Sequence, residues 1–137
     1  MKNFFALFTV LILIASCQTQ INAPTNNAPT IKTLTIVNTN IQKADGAILE
    51  FIYEFTDDNG LNQFRVSVYD NFLDARLLSA PWNYDKDHNL SGTSMIDTLQ
   101  IALPYPDIEL GRYELTITVQ DIDGEETSQK NTFYVIE

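Results

Sequence analysis

The stretch Gly111-Arg112-Tyr113-Glu114-Leu115-Thr116-Ile117-Thr118-Val119-Gln120-Asp121 decides the fold of this chain. Apolar residues stand at every second position from Tyr113 to Val119, and polar residues stand between them. Side chains on a β-strand point alternately to the two faces of its sheet, so this pattern predicts a strand with one buried and one solvated face. Asp123-Gly124, which follows it, predicts a tight turn.

The same period of two recurs along the chain. Alternating stretches predict further strands at 47–55, 64–68 and 99–103, and weaker first and last strands at 31–37 and 132–136. Turn residues separate them, and no helical apolar period of useful length follows the N-terminal segment. Six or seven strands without strand–helix alternation predict an all-β fold, an antiparallel β-sandwich of about seven strands, with a closed barrel as the alternative.

Composition excludes several classes of function. The 137 residues fit one domain, and 18 acidic against 8 basic residues give a formal net charge of −10. Binding to nucleic acid needs a basic face that neutralises phosphates, so no nucleic-acid partner is expected. A single cysteine excludes an internal disulfide framework and every metal site built from several cysteines.

The N-terminus carries the signature of a secreted chain. Lys2 precedes an apolar run over residues 4–14, which is shorter than the roughly 20 residues that a membrane-spanning helix needs. The following Ile14-Ala15-Ser16-Cys17 resembles the bacterial lipobox. The resemblance implies that residues 1–16 are a signal peptide, that Cys17 is acylated, and that the chain is held in a membrane by its lipid anchor.

Residues 17–30 then comprise the lipidated cysteine and a polar, proline-containing segment that predicts a flexible tether, and residues 31–137 form the β-sandwich domain. Gln18, directly after the cysteine, resembles the sorting signal of Gram-negative outer-membrane lipoproteins. We therefore expect a cell-envelope, outer-membrane lipoprotein, on either its periplasmic or its surface face.

Two motifs resemble those of known β-sandwiches. Residues 110–115 resemble the tyrosine corner of immunoglobulin-like domains, which implies that the Tyr113 hydroxyl bonds a backbone group upstream; the alternative is an ordinary core tyrosine. Residues 55–61 (FTDDNGL) and 111–124 resemble bacterial immunoglobulin-like and cadherin-like modules, and the whole layout resembles single-domain lipoproteins of Bacteroidetes. The fold implied is an immunoglobulin-like antiparallel β-sandwich. Asp97-Thr98-Leu99 also resembles a Bacteroidetes O-glycosylation motif, which makes Thr98 a candidate acceptor.

An acidic cluster is expected at one end of the sandwich. In an immunoglobulin topology the B–C and F–G connections lie at the same end. This would bring together the oxygen-bearing residues Asp57, Asp58, Asn59, Asp121, Asp123 and Glu125. Oxygen-rich loops suit Ca²⁺, and cadherin-like modules place calcium among similar loops, so a weak Ca²⁺ site with Kd of about 0.1–1 mM is one interpretation. The other is that these acids shape and solubilise turns.

The long segment 70–94 is the second candidate site. Its Trp82, Tyr84 and Arg76 suggest an exposed surface that captures an envelope protein or glycan, unless the aromatic residues pack over the sandwich. His88, in a polar stretch, is expected to be solvated. The sequence carries no G-x-S-x-G, H-E-x-x-H or phosphate-binding glycine loop. The expectation is therefore a binding or accessory module, not an enzyme, with a calcium-binding structural or adhesive module as the alternative.

Overall fold

The structure is a computed structural model that describes residues 26–70 and 82–137. Within these ranges the fold is all-β. The strands are β1 (Thr30–Ile36), β2 (Asn40–Gln42), β3 (Ile48–Thr56), β4 (Leu61–Asp70), β5 (Tyr84–Asn89), β6 (Ser94–Ala102), β7 (Gly111–Asp121) and β8 (Glu126–Ile136). The predicted all-β sandwich is confirmed. The predicted signal peptide (residues 1–16), the predicted lipidation residue Cys17 and the candidate binding residue Arg76 lie outside the described residues.

The strands form two separate sheets, so the closed-barrel alternative is wrong. The three-stranded sheet has the order β1-β3-β6, and the five-stranded sheet has the order β2-β8-β7-β4-β5. All pairs are antiparallel except β2 with β8, which is parallel. The parallel pair and the eighth strand depart from the prediction, because a three-residue strand is too short to show alternation.

The deciding stretch forms β7 at the centre of the five-stranded sheet. Tyr113, Leu115, Ile117 and Val119 are all at most 1 % exposed, as their alternation predicted. Opposite them, an aromatic cluster fills the space between the sheets, with the ring centroids of Tyr53 and Phe55 4.7 Å apart. Burying each large apolar side chain contributes roughly 1.5–3 kcal/mol, so this layer provides most of the stabilisation of the sandwich.

The tyrosine corner is present. The Tyr113 hydroxyl donates a hydrogen bond of 2.8 Å to the backbone carbonyl of Glu109, four residues upstream, as predicted. Burial raises the pKa of Tyr113 to about 12, so the hydroxyl keeps its proton and remains a donor at any physiological pH. This bond fastens the β6–β7 connection to the start of β7.

Replacing this tyrosine should reveal the contribution of the corner. We expect Tyr113→Phe to reduce the free energy of unfolding by about 1 kcal/mol or slightly more, because the bond to the Glu109 carbonyl is lost while the ring stays packed. Urea unfolding followed by circular dichroism measures this. Tyr105→Phe, in the same connection but 48 % exposed, is the control and should be neutral. Equal midpoints for Tyr113→Phe and the parent chain would show that the corner does not stabilise the fold.

Candidate functional site

The β3–β4 and β7–β8 connections meet at one end of the sandwich, here called the acidic pole (Asp57, Asp58, Asn59, Asp121, Asp123 and Glu125). The Asn59 side-chain amide donates a hydrogen bond to the Asp123 carboxylate across the two connections. The backbone N–H of Ile122 donates to the Gly60 carbonyl at 2.9 Å. The convergence of these loops, predicted from the topology, is therefore confirmed.

Asp121 organises this pole from a fully buried position. Its Oδ1 accepts hydrogen bonds from the backbone N–H groups of Asp123 (2.9 Å) and Glu125 (2.8 Å), and its Oδ2 accepts one from Asn26 Nδ2 at 2.7 Å. Burial alone would raise the pKa of this carboxyl, but the hydrogen bonds from Asn26 and the backbone outweigh it and hold the pKa below its ordinary value. Asp121 is therefore ionised at neutral pH, and its carboxylate stabilises the β7–β8 turn.

Asp57 has a similar role in the β3–β4 connection. Its Oδ1 accepts hydrogen bonds from the backbone N–H groups of Asn59 (2.9 Å) and Gly60 (2.6 Å), which closes an Asx turn. Gly60 has a φ of +139° there, a conformation that a residue with a side chain rarely adopts. Asp57 Oδ2 and Asn26 Oδ1 are buried and have no hydrogen-bond donor among the described residues.

The pole also holds the end of the predicted tether. Asn26 bonds Asp121 as above, and Asn27 Nδ2 donates to Asp58 Oδ2 at 2.8 Å. Pro29 is buried. Asn26 and Asn27 therefore attach the residues just before β1 to the acidic pole, while the flexibility expected over residues 17–30 stays a prediction. Sequence spacing gave no signal for these pairs.

A pocket of about 360 Å³ opens at this end. It is lined by Asn27 and Ala28 of residues 26–29, here called the docked segment, by Thr30 of β1, by Thr56 of β3, and by Asp57 and Asp58 of the β3–β4 connection. In the part of the chain that the structure describes, no group of three or more Asp, Glu, His or Cys side chains is placed to hold a metal ion. Half of the carboxylate oxygens of the pole accept hydrogen bonds, from the two connections or from the side chains of Asn26 and Asn27.

The second candidate site, in the 70–94 segment, is less exposed than the sequence predicted. Trp82 is only 8 % exposed, and its ring meets those of Tyr113 and Phe133 at centroid distances of 5.8 and 6.2 Å. The exposure expected of Trp82 is therefore wrong, since the indole completes the core beneath β7 and β8. Tyr84 is half-buried, with Lys86 Nζ 5.2 Å from its ring centroid. His88 is not a solvated side chain either, because it stacks on Phe64 at 4.8 Å.

The described part of the 70–94 segment contributes instead to the outer surface of the five-stranded sheet. Strand β5 pairs with β4 so that Asp87 lies opposite Arg65, which in turn lies opposite Thr118 of β7. A pocket of about 200 Å³ is centred on these strands. We call its lining the polar face: Gln63, Arg65, Asp87, Thr118, Gln120 and Glu126.

Charge pairing fixes one half of the polar face. Arg65 Nε and Nη2 bond the two carboxylate oxygens of Asp87 at 2.8 and 3.3 Å, and Asp85 lies 3.7 Å from the same guanidinium. The hydrogen bond from Arg65 lowers the pKa of Asp87, and the hydrogen bond to Asp87 raises that of Arg65. Ser67 Oγ donates to Asp85 at 3.1 Å. Arg65, Asp85 and Asp87 are exposed, whereas Ser67 is buried, and the paired charges give the group a defined geometry.

Side-chain amides hold the other half of the polar face in place. Gln120 Oε1 accepts hydrogen bonds from Gln63 Nε2 (3.0 Å) and Asn62 Nδ2 (3.3 Å), and Gln120 Nε2 donates to Glu126 at 3.0 Å. Farther along the same surface, Tyr69 of β4 and Tyr134 of β8 are 45 % and 44 % exposed. Only the register of the four strands shows which of these residues are neighbours.

Thr98, the candidate glycosylation residue, lies exposed in β6 of the other sheet. Its position is compatible with modification, which stays a prediction. Across the described ranges 26–70 and 82–137, no helix has the length and apolar character needed to cross a membrane.

Comparison with known proteins identifies a family and remote structural likenesses. No curated protein sequence matches the chain. Among solved structures, the fold is similar to part of the β-glucosidase EmGH1 from Erythrobacter marinus, with 12 % sequence identity and a TM-score of 0.42. The match covers 81 % of this chain but 15 % of that one. Residues 15–136 match the family model of DUF4625, a domain of unknown function, and the chain belongs to this family.

Proposed function

We propose that the chain is a lipid-anchored, non-catalytic module of the cell envelope that binds a glycan on the polar face. The observation that carries the proposal is the hydrogen-bonded array of a guanidinium, carboxylates and amides around the 200 Å³ pocket at Arg65 and Gln120. Such an array is held in place before a ligand arrives, which lowers the entropy lost on binding. The lipobox resemblance supports the anchor.

The chemistry of the polar face favours a glycan over a protein partner. Sugar hydroxyls both donate and accept hydrogen bonds, and planar carboxylate, amide and guanidinium groups can engage neighbouring hydroxyls in pairs. A protein interface instead needs a desolvated apolar centre, whereas the residues that line this pocket are all polar. Farther along the same surface, the exposed rings of Tyr69 and Tyr134 offer faces on which the distant sugars of a longer glycan could pack.

Charge on the polar face narrows the glycan class. One guanidinium, Arg65, stands among the carboxylates of Asp85, Asp87 and Glu126, and it is already paired with Asp87. An acidic glycan would meet net negative charge, since the chain as a whole carries −10. We therefore propose a neutral oligosaccharide as the ligand.

A glycan array tests this function. The full-length chain should bind members of a neutral set (β-glucan, mannan and chitin oligosaccharides) but not polygalacturonate or heparin. Arg65→Ala should weaken binding by about tenfold or more, because it removes a charged donor and releases Asp87. Lys32→Ala, on the other sheet, is the matched charge-removing control and should bind like the parent. Full binding by Arg65→Ala, or capture of an envelope protein with no glycan bound, would refute the proposal.

The second candidate function is calcium binding at the acidic pole. It is favoured by the buried oxygens Asp57 Oδ2 and Asn26 Oδ1, which lack a donor among the described residues and are hard-cation ligands by type. Asp57 and Asn26 would hold the ion, with Asp58 beside them. A calcium ion bound there would offset the repulsion between the carboxylates of the two connections and brace the docked segment against the domain.

Thermal unfolding with added CaCl₂ tests the second candidate. With a Kd of roughly 0.5 mM, 5 mM Ca²⁺ should stabilise the fold by about 1.4 kcal/mol, or about 5 °C in Tm. Asp57→Asn should remove this rise, and Asp45→Asn, an exposed acid in the β2–β3 turn, should retain it. An unchanged Tm of the parent chain at millimolar calcium would eliminate the calcium function while leaving the glycan proposal standing.

A further inference from the structure

The two sheets have four edges in the described residues: β1 and β6 in one sheet, β2 and β5 in the other. A sheet edge presents unpaired backbone N–H and C=O groups, which can pair with a strand of another chain. Proteins that avoid such pairing shorten their edge strands, bend them with bulges, or place charged side chains on them.

Three of the four edges carry such protection. Strand β1 has a register shift between Ile31 and Thr33, with Lys32 at the irregularity. Strand β2 is three residues long. Strand β5 has the sequence Tyr-Asp-Lys-Asp-His-Asn, in which ionisable residues follow one another directly.

Strand β6 has none of these three protective features: it is not short, it has no register shift, and it does not carry consecutive ionisable residues. It has nine residues, Ser94–Ala102, and it pairs with β3 in continuous register from Ile48↔Ala102 to Thr56↔Ser94. It contains no proline, and Asp97 is its one charged residue. Ile96 is 69 % exposed, the highest value among the exposed large hydrophobic residues of the described chain. By the same criteria, β6 is an edge that is open to pairing.

Backbone hydrogen bonds show which groups point outward. Leu103 N–H donates to the Ala47 carbonyl at 2.9 Å, which places the odd-numbered amides of this strand on the β3 side. The Thr98 N–H has no strand partner among the described residues and donates to the carboxylate of its neighbour, Asp97 Oδ1, at 2.8 Å. Because amides alternate along a strand, those of Ile96 and Gln100 point to the free edge with Thr98.

From these observations we propose that β6 binds an extended segment of a partner protein by strand addition, and that this segment is apolar and basic. Its backbone pairs with Ile96, Thr98 and Gln100, while its apolar side chains cover Ile96 and the 37 % exposed Ile52 next to it. Pairing at Thr98 displaces Asp97, whose freed carboxylate then meets a Lys or Arg of the incoming strand. This surface is separate from the polar face.

Charge selects a basic partner over a second copy of this chain. Glu50 and Glu54 of β3 lie in the sheet beside β6, and the Lys32 ammonium is already within 3.9 Å of Glu54. Two copies would bring together two chains of net charge −10, whereas a basic segment brings the opposite charge.

A peptide titration tests strand addition. The probe is a fluorescent ten-residue peptide of alternating Lys and Val, with blocked ends, added to the full-length chain at low ionic strength. We expect saturable binding, and slowed hydrogen exchange at the amides of Ile96, Thr98 and Gln100. The same peptide N-methylated at alternate residues should bind at least about tenfold more weakly, because its backbone cannot complete the ladder. A Glu-Val peptide should not bind.

Variants of the edge complete the test. Gln100→Pro removes an outward amide and should abolish peptide binding, whereas the matched Gln100→Ala should retain it. Arg65→Ala should also retain it, which separates this surface from the glycan proposal. Equal binding of the N-methylated and unmethylated peptides would overturn the inference and needs no variant to fold. A dimer abolished by Gln100→Pro, with no peptide bound, would overturn it too, because the occupant would then be a second copy.

Discussion

Trp82→Ala is expected to lower the free energy of unfolding by about 3–5 kcal/mol, the range found when large aromatic side chains are removed from a packed core. The indole is 8 % exposed and meets the rings of Tyr113 and Phe133 edge-on. Its removal therefore opens a cavity beneath β8 and beneath β7, the strand that begins at the tyrosine corner. Because domains are stable by only about 5–15 kcal/mol, this change could unfold the chain at physiological temperature.

Urea unfolding measures the loss, and two controls interpret it. Trp82→Phe keeps part of the ring volume and should lose less stability, which covers the case in which Trp82→Ala does not fold. Tyr84→Ala, half-buried on the neighbouring edge strand, should cost less than Trp82→Ala. Trp82 is the only tryptophan, so its fluorescence should shift to longer wavelength on unfolding. A loss below about 1 kcal/mol for Trp82→Ala would contradict the buried position.

Asp121→Asn should produce the second largest effect, and one that depends on pH. The pKa of Asp121 is lowered in the folded state relative to about 3.9 in an unfolded chain, so its ionised form stabilises the fold above that value. This contribution is lost as the pH falls through the lowered folded-state pKa. At pH 7 we expect the Tm of Asp121→Asn to be about 10 °C below that of the parent, since charged hydrogen bonds to three groups are weakened.

Thermal unfolding between pH 7 and pH 2 tests the linkage. The Tm curves of the parent and of Asp121→Asn should converge at the acidic end, where both side chains are neutral. Asp45→Asn, at an exposed turn position, should follow the parent throughout. A Tm difference of constant size over the whole range would mean that Asp121 stabilises the turn by shape and not by charge.

The sequence predicted the central strands well because their burial is one-sided. Strands β3, β4 and β7 each have one face in the core, and this produces the alternation that was used to find them. Strand β5 was not predicted, because an edge strand buries few side chains and its sequence therefore shows no apolar period. Strand β2 was not predicted for the same reason, since Ile41 is the one buried residue among its three.

The sequence predicted a candidate site only where the strand topology alone brings its residues together. Knowing that two connections share one end was enough to bring Asp57 and Asp123 into one pole. The polar face could not be foreseen, since the contact of Arg65 with Asp87 depends on register across β4 and β5. Trp82 could not be assigned either, because composition does not distinguish an aromatic residue on a binding surface from one that closes a core.

Nuclear magnetic resonance mapping tests the central claim most directly, that a glycan binds on the outer face of the five-stranded sheet. The ¹⁵N-labelled chain would be titrated with chitin, β-glucan and mannan oligosaccharides in turn. The account predicts that at least one causes saturable shifts at the amides of Arg65, Asp87, Thr118 and Gln120, and that Arg65→Ala removes them. Shifts confined to β6 or to the acidic pole, or no shifts with any of the three, would contradict it.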